Sequence, residues 1–311
     1  MPGDNLDSVP APGGPIGDNA IRSLTPQSVS TVLRSALGRH AEFAGGPNAA
    51  LDFLIASRIH RHDRESTLST RRYLSDDGVR FVARTDEEIV PAARQVELPE
   101  PLPLTMPLAA AIAGRRSERD FSGEPMDVAA LGTVLRAVGG ITHGQRAPLR
   151  SGGVVDLAQR SVSSGGGLYP VELYAAAVKV HGLAEGMYRY APRADVLERT
   201  GGAEAVAAFR AGLMEVESLP GISRAAALLV LVGRPWRSMR KYGPRGMRMT
   251  MHEVGAIGQQ SHLAAVALGL GSLDWTSFYD GEVNQALGFD GVRRAVLHMV
   301  LLGHPATPPT V

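Results

Sequence analysis

The sequence predicts a mixed α/β domain, because segments with strand patterns and helix patterns alternate over most of the chain. The runs AAALLVLVG and AVLHMVLLG are too short to span a bilayer and are typical of strands buried on both faces. MTMHEVGAIGQQSHLAAVALGLG has the length of a helix, and the glycines at its end mark a stop. GMYRYAPRADVLERT has the pattern of a hairpin that turns around APRAD.

Further elements complete this prediction. MPLAAAIAGRR predicts a helix that begins near Pro107, and DVAALGTVLRAVGG predicts a helix that ends at Gly139. ELYAAAVKV predicts a strand, and a helix is expected from about Ala203. We assign residues 106–311 to this domain.

The N-terminal part of the chain has a different character. Residues 1–22 are rich in Pro, Gly, Asp and Asn, which predicts disorder. Residues 23–105 predict a helical extension: TPQSVSTVLRSALGRHAEF and LDFLIASRIHRH have helix patterns, and GVRFVAR is interpreted as a short strand. VELPEPLPLTMP contains four prolines and predicts an extended connector, so we place a domain boundary near residue 105.

Composition excludes several classes of protein. The chain has 32 Lys and Arg against 31 Asp and Glu, a balance that does not indicate nucleic-acid binding. It has no cysteine, which excludes disulfides, thiolate metal sites and a cysteine nucleophile. The histidines form no HExxH pattern, so no metal site is expected. With no signal-peptide or membrane-span pattern, we expect a cytoplasmic protein that does not engage a membrane.

Two motifs have the chemistry of a ligand site. GRRSERDF places Arg115, Arg116 and Arg119 around Ser117, and guanidinium and hydroxyl groups suit a phosphate; the alternative is a solvated basic turn. RSVSSGGGLYPVELY contains three successive glycines, which allow the backbone to approach a ligand closely. It fits neither GxGxxG nor a P-loop. A flexible linker is disfavoured, because the glycines run directly into a core-like segment.

Two further motifs are weaker when taken alone. RKYGPRGMR places Lys241 beside Tyr242 ahead of a Gly-Pro turn, and such a pair can act as a general base. LGLGSLDWTS joins a helix to a strand through small residues, where free backbone N–H groups can bond a flat heterocycle. An ordinary dipeptide and an ordinary helix end are the respective alternatives.

The order of these motifs resembles the nitroreductase superfamily. Within it, the series is similar to the SagB-type FMN-dependent azoline dehydrogenases of thiazole/oxazole-modified peptide pathways, over about residues 107–305. The resemblance implies an α+β sandwich, a mainly antiparallel sheet wrapped by helices, and this replaces the α/β expectation. It also implies a homodimer with FMN between the two protomers.

The resemblance implies roles for particular residues. A Lys-Tyr pair transfers protons in the azoline dehydrogenases, and Lys241 and Tyr242 match it. Gln260 stands where relatives have asparagine, and a Gly-Gly is common where Thr276 and Ser277 stand. The implied FMN contacts are Arg115, Arg116, Ser117 and Arg119 on the phosphate and ribityl chain, Ser164, Gly165, Gly166, Gly167 and Gln260 at the ring, and Thr276 and Ser277 at flavin N5.

The implied activity is oxidation of azoline rings in a modified peptide to azoles. The pair removes a proton, a hydride goes to flavin N5, and O2 reoxidises the flavin; a cyclodehydratase partner is possible in such pathways. Three alternatives stay open: an NAD(P)H-dependent nitro or quinone reductase, a desaturase of another peptide bond or carrier-bound heterocycle, and a non-catalytic subunit of a peptide-modifying complex. The N-terminal extension is a candidate docking segment for the last of these.

Overall fold

The computed structural model describes residues 49–59, 64–83, 94–214 and 220–307. The predicted disordered head and the predicted helix in TPQSVSTVLRSALGRHAEF lie outside these ranges. The chain divides into two units, residues 1–63 and 64–311. In the first unit, helix α1 (Ala49–Ala56) confirms the second predicted helix, and the Ser57 hydroxyl donates to the Phe53 carbonyl 2.6 Å away. The predicted domain limits stay a prediction.

A seven-stranded sheet forms the centre of the second unit, in the order β1-β8-β7-β5-β9-β11-β10. Every pairing within it is antiparallel, which confirms the antiparallel sheet of the α+β prediction. The sheet strands are β1 (Gln95–Glu97), β5 (Val171–Ala177), β7 (Gly186–Ala191), β8 (Val196–Gly201), β9 (Ala227–Gly233), β10 (Gly271–Trp275) and β11 (Ala295–Gly303). The remaining strands form two small sheets, β2 (Met126–Asp127) with β6 (Val180–His181), and β3 (Ile141–Pro148) with β4 (Val154–Arg160).

Helices cover both faces of the large sheet. The helices of this unit are α2 (Arg64–Arg72), α3 (Asp76–Ala83), α4 (Leu108–Gly114), α5 (Val128–Gly139), α6 (Ala203–Ala211), α7 (Trp236–Tyr242), α8 (Arg245–Ala267) and α9 (Asp280–Ala286). One buried cluster joins Leu131 of α5 and Ile257 of α8 to the sheet, and a second joins Phe209 of α6 and Val283 of α9. Among the described helices, none is both long and apolar enough to cross a membrane.

Strand β9 shows why the sheet is central. All seven of its residues are buried, and successive side chains enter opposite clusters, Leu229 and Leu231 on one face and Leu228 and Val230 on the other. A strand buried on both faces needs an unbroken apolar run. The prediction made from AAALLVLVG is therefore confirmed, as are the strands, the hairpin and the long helix predicted around it.

One predicted element is wrong. GVRFVAR lies largely within helix α3, not in a strand. The Ser75 hydroxyl accepts the Gly78 N–H at 3.2 Å and caps the helix at its start. A short apolar run does not separate strand from helix by periodicity alone, and here the cap and the contact between the Tyr73 and Phe81 rings favour the helix.

A tight connection between α7 and α8 places the Lys-Tyr pair. Gly243 ends α7 with φ +56°, a conformation that favours glycine, and α8 begins two residues later. Gly246 packs against the preceding helix: a Cβ there would lie 2.5 Å from the Met239 nitrogen and from the Ser238 carbonyl carbon. The two helices therefore touch through backbone atoms.

We expect Gly246→Ala to lower the free energy of unfolding by about 1–3 kcal/mol, because the added methyl group overlaps backbone that has no room to move. Gly281→Ala is the matched control, since a Cβ at Gly281 meets nothing within 4 Å. Thermal melting of both variants tests this. Equal melting temperatures would contradict the close contact.

Candidate active site

The three successive glycines form a single tight turn. Gly165–Gly167 adopt a 3-10 turn, in which Gly166 has φ +70° and Gly167 has φ +65°. Both values lie in the left-handed region that side chains disfavour, so glycine is required twice in succession. The Ser164 hydroxyl accepts the Tyr169 N–H at 2.9 Å and closes the turn. We call Ser164–Gly167 the glycine turn.

The glycine turn touches both members of the Lys-Tyr pair. A Cβ on Gly166 would overlap the Tyr242 hydroxyl and would lie 2.7 Å from the Lys241 Nζ. The structure thus brings together two motifs that are far apart in the sequence. Backbone and functional groups meet here because position 166 has no side chain.

Lys241 is held in an aromatic environment. It is 9% exposed, and its Nζ lies 5.2 Å from the Tyr242 ring centre and 5.5 Å from the Tyr73 ring centre. Within the described part of the chain, no carboxylate lies at ion-pair distance from this amine. Aromatic faces attract a cation, and they leave the N–H groups of the amine without a carboxylate acceptor. The amine is therefore placed to exchange a proton with a bound molecule.

The candidate phosphate-binding residues of GRRSERDF lie at the edge of the large sheet. We call these four residues, Arg115, Arg116, Ser117 and Arg119, the arginine cluster. Ser117 pairs with Ser272 of β10, and the Glu118 N–H donates to the Ser272 carbonyl at 2.9 Å. Arg116 and Arg119 are exposed. No carboxylate in the described ranges forms an ion pair with the three arginines. The cluster has the donors that an anionic group requires.

The other predicted contacts lie in different surroundings. The Gln260 amide N–H donates to the Ala137 carbonyl of α5, so this side chain links two helices. Ser277 follows β10, and its carbonyl accepts from the Trp275 indole at 2.8 Å and from the Met214 N–H at 3.0 Å. Thr276 is exposed. The flavin contacts of Gln260, Thr276 and Ser277 stay predictions.

Helix α8 separates the two groups of residues within one chain. A Cβ on Gly165 would lie 3.0 Å from the Met249 sulfur near the start of α8, and one on Gly114 would lie 3.4 Å from Val266 near its end. At 1.5 Å per residue these positions on α8 are about 26 Å apart. The glycine turn with its Lys-Tyr pair and the arginine cluster therefore lie towards opposite ends of this helix.

Glu253 is a functional candidate that the sequence did not reveal. It lies on α8, is 3% exposed, and its Oε1 accepts the Val171 N–H at 3.2 Å. Burial raises the pKa of Glu253 to about 7, against the lowering effect of hydrogen bonds from Ser164 and from the Val171 N–H. The sequence feature that could have indicated it is an acidic residue on the apolar face of a predicted helix. Glu253 places a group that titrates near neutral pH directly behind the glycine turn.

A second unpredicted group bridges α8 and the sheet edge. The Asp274 carboxylate lies 2.9 Å from His262 Nε2 and 2.7 Å from His298 Nε2, and His262 Nδ1 lies 2.8 Å from the Ser272 hydroxyl. Hydrogen bonds from His262 and then His298 hold the pKa of Asp274 well below its usual range. The described residues contain no group of three or more acidic or histidine side chains arranged to hold a metal ion.

A cavity of about 310 Å³ opens beside the glycine turn. It is lined by Val82 of α3, by Leu157 and Gln159 of the β3–β4 hairpin, and by Arg193. Apolar surface and amide groups therefore face the same space as Gly166. This arrangement suits a flat, uncharged group next to the Lys-Tyr pair.

The sequence profile of the nitroreductase family matches residues 112–304. The chain belongs to the nitroreductase family. Members of this family are flavin-dependent oxidoreductases that typically bind FMN. The match covers both the arginine cluster and the Lys-Tyr pair.

Individual relatives agree with this assignment. A nitroreductase-type protein from Methanocaldococcus jannaschii is 30% identical over 178 residues, which cover 56% of this chain and 80% of that protein. A nitroreductase-type structure from Anabaena variabilis has a TM-score of 0.52 and 23% identity, and covers 68% of this chain. This chain spans only 41% of that one.

A third similar structure comes from a multi-subunit assembly. A chain of the Escherichia coli microcin synthetase complex McbBCD, solved with truncated pro-MccB17 bound, has a TM-score of 0.50 and 21% identity. The match covers 78% of this chain and 98% of that one. At these identities the structural likenesses establish the fold, and they confirm the predicted nitroreductase-like α+β sandwich.

We expect Gly166→Ala to abolish the oxidoreductase activity, because its methyl group would displace Lys241 and Tyr242 and would also strain the backbone. Gly167→Ala is the matched control: it has the same positive φ, but a Cβ there meets nothing within 4 Å. Both variants lose about 1–3 kcal/mol of stability through strain. Activity measured at equal folded fraction should differ by more than tenfold; equal activities would refute the contact.

Glu253 should make stability depend on pH. Glutamate in the unfolded chain titrates near about 4.3, so between that pH and about 7 the folded protein holds more protons at Glu253. Stability then decreases as the pH rises through this window. We expect Glu253→Gln to gain in melting temperature relative to the wild type between about pH 4.5 and about pH 7.5. The exposed Glu124→Gln serves as the control, and a pH-independent gain for Glu253→Gln would contradict the buried-acid assignment.

Proposed function

We propose that this protein is an FMN-dependent dehydrogenase that oxidises thiazoline or oxazoline rings in a modified peptide to azoles. One observation carries the proposal: the Lys241 amine and the Tyr242 hydroxyl meet at the backbone of Gly166, beside a cavity with apolar and amide walls. A reductase of small acceptors needs no such general base, because reduced flavin supplies the electrons. Removal of a carbon-bound proton does need one.

The residues present fit FMN. The arginine cluster lies without carboxylate partners among the described residues, so its guanidinium groups are available to a phosphate. A Cβ on Gly167 would meet nothing within 4 Å, so a flat ring has room to lie against the backbone at that residue. Arg115, Arg116, Ser117 and Arg119 would hold the phosphate and ribityl chain, and Ser164–Gly167, with Gln260, Thr276 and Ser277 as further candidates, would lie at the ring. Bound FMN supplies a two-electron acceptor.

The distances support a homodimer in which a second copy completes the site. The arginine cluster lies beside β10, and four residues further along that strand, about 13 Å at 3.3 Å per residue, come Thr276 and Ser277. The glycine turn precedes β5, which is three strand spacings, or about 14 Å, from β10. The glycine turn and the arginine cluster also lie about 26 Å apart along α8, which favours a flavin that is held by its phosphate beside β10 of one copy and meets the glycine turn of another.

The chain's own part in the reaction is proton transfer. An azoline loses two electrons and two protons in becoming an azole, and one proton leaves the carbon that was the amino acid's Cα. Lys241 Nζ or the Tyr242 oxygen accepts this proton, since both atoms lie next to Gly166. O2 is the proposed final electron acceptor.

The likeness to a chain of the microcin synthetase complex supports a peptide as the substrate. That complex was solved with truncated pro-MccB17 bound. By extension we propose that an azoline-containing peptide reaches this protein from a cyclodehydratase partner. Arg193, Gln145 and Gln159 line the cavity and offer donors to peptide carbonyl groups.

We expect Lys241→Ala to retain its bound flavin, since the arginine cluster is untouched, but to lose azole formation by at least about a hundredfold, as general-base removal does. Mass spectrometry of an azoline peptide, following the loss of two hydrogen atoms, measures this. Lys179→Ala is the control, because Lys179 is the other lysine of the chain and is exposed.

The same variants separate the alternative reductase activity. If the wild-type flavin is reduced by NADPH, and Lys241→Ala reduces nitro compounds or quinones as fast as the wild type, the protein is a reductase. Azoline oxidation by Lys241→Ala at the wild-type rate would overturn the base assignment.

A further inference from the structure

We propose that the N-terminal helices α2 and α3 are part of the catalytic site and that Tyr73 is the residue that positions the Lys241 amine. The inference deepens the proposed function and depends on Lys241 being the base. Residues 64–83 lie outside the part of the chain that matches the nitroreductase profile. The family match by itself therefore assigns no role to these helices.

Helix α2 holds the end of α7 directly. The Ser69 hydroxyl lies 2.9 Å from the Arg240 carbonyl oxygen and 2.9 Å from the Lys241 carbonyl oxygen. Carbonyls in the last turn of a helix have no partner within the helix. Ser69 supplies one, so the backbone that carries Lys241 is fixed by a residue of the N-terminal segment.

Tyr73 holds the other end of the lysine side chain. Its ring centre lies 5.5 Å from Lys241 Nζ, and the Tyr242 ring lies 5.2 Å from the same atom. The amine therefore lies between two aromatic rings, one from the Lys-Tyr pair and one from the N-terminal segment. Burial raises the pKa of Tyr73, against the opposing effect of Arg240, so this phenol stays neutral and acts through its ring.

The Tyr73 ring is itself oriented by its neighbours. Phe81 of α3 packs against it edge-to-face at 6.1 Å, and the Arg240 guanidinium lies 5.8 Å from the Phe81 ring. Such an arrangement leaves few rotations open to Tyr73. The direction in which the ring faces Lys241 is thereby set by the fold of α2 and α3.

Helix α3 attaches the segment to the walls of the cavity. The Asp76 carboxylate accepts the N–H groups of Arg150 and Ser151, each at 2.7 Å, in the loop between β3 and β4. Arg193 donates to the Ala83 carbonyl at 2.5 Å. Because Arg193 and Val82 also line the cavity, the segment that positions the base forms part of the space for the substrate ring.

Three variants test the role of Tyr73, each measured for flavin content, melting temperature, kcat and KM on an azoline peptide. Tyr73→Leu removes the ring, and we expect kcat to fall about 5- to 30-fold, the loss of one desolvated cation–π contact. KM and flavin content should stay at wild-type values. Tyr73→Phe keeps the ring and loses only the hydroxyl, so it should retain kcat within about twofold. A large loss of kcat in Tyr73→Phe would mean that the hydroxyl, and not the ring, is the group that matters.

Phe81→Leu is a comparison variant, because it removes the ring that orients Tyr73 without removing a contact to Lys241. Its kcat should fall less than that of Tyr73→Leu. Ser69→Ala tests the same positioning role if Tyr73→Leu folds poorly. It should lower kcat with little change in melting temperature. Wild-type kcat in both Tyr73→Leu and Ser69→Ala would overturn the proposal.

Lys241→Ala, measured alongside, separates this inference from the proposed function. An inactive Lys241→Ala together with a fully active Tyr73→Leu would refute only the role of Tyr73. A fully active Lys241→Ala would remove the base on which both depend.

Discussion

The contact between the Gly166 backbone and the Lys241 and Tyr242 side chains is the constraint on which the rest of the site depends. It requires a residue without a Cβ and with positive φ at position 166, and it requires α7 to end where it does. The α7–α8 connection through Gly243 and Gly246 meets the second requirement, since the two helices touch through backbone atoms. Small residues at these positions therefore serve close approach between elements, not flexibility.

Helix α8 links the chemistry of the site to the fold. Glu253 near its start bonds the first residue of β5, directly after the glycine turn, and His262 further along meets Asp274 at the sheet edge. The helix thus keeps the Lys-Tyr pair and the arginine cluster apart, towards its two ends. This separation is the physical reason for proposing that two copies share each flavin, and for expecting the N-terminal helices to complete the Lys-Tyr side.

The sequence predicted elements whose burial is uniform and missed those whose burial is not. AAALLVLVG was assigned correctly because both faces of β9 are buried, whereas the β3–β4 hairpin is largely exposed and shows no apolar alternation. GVRFVAR was misassigned because its helix depends on the Ser75 cap and on tertiary contacts. The sequence identified the residues of the four ligand motifs. It could not show that Gly166 meets Lys241, or that Tyr73 and Glu253 lie near them, because residues far apart in the chain make these contacts.

The most direct test of the proposed azoline oxidation is an anaerobic absorbance titration of the FMN-loaded protein with an azoline-containing peptide, in the absence of any nicotinamide. We predict that the flavin absorbance bleaches as the peptide is added, that an azole peptide accumulates in equal amount, and that admitting O2 restores the colour. If the protein takes up no FMN, or if its flavin stays oxidised with the peptide but bleaches with NADPH, it is not an azoline dehydrogenase.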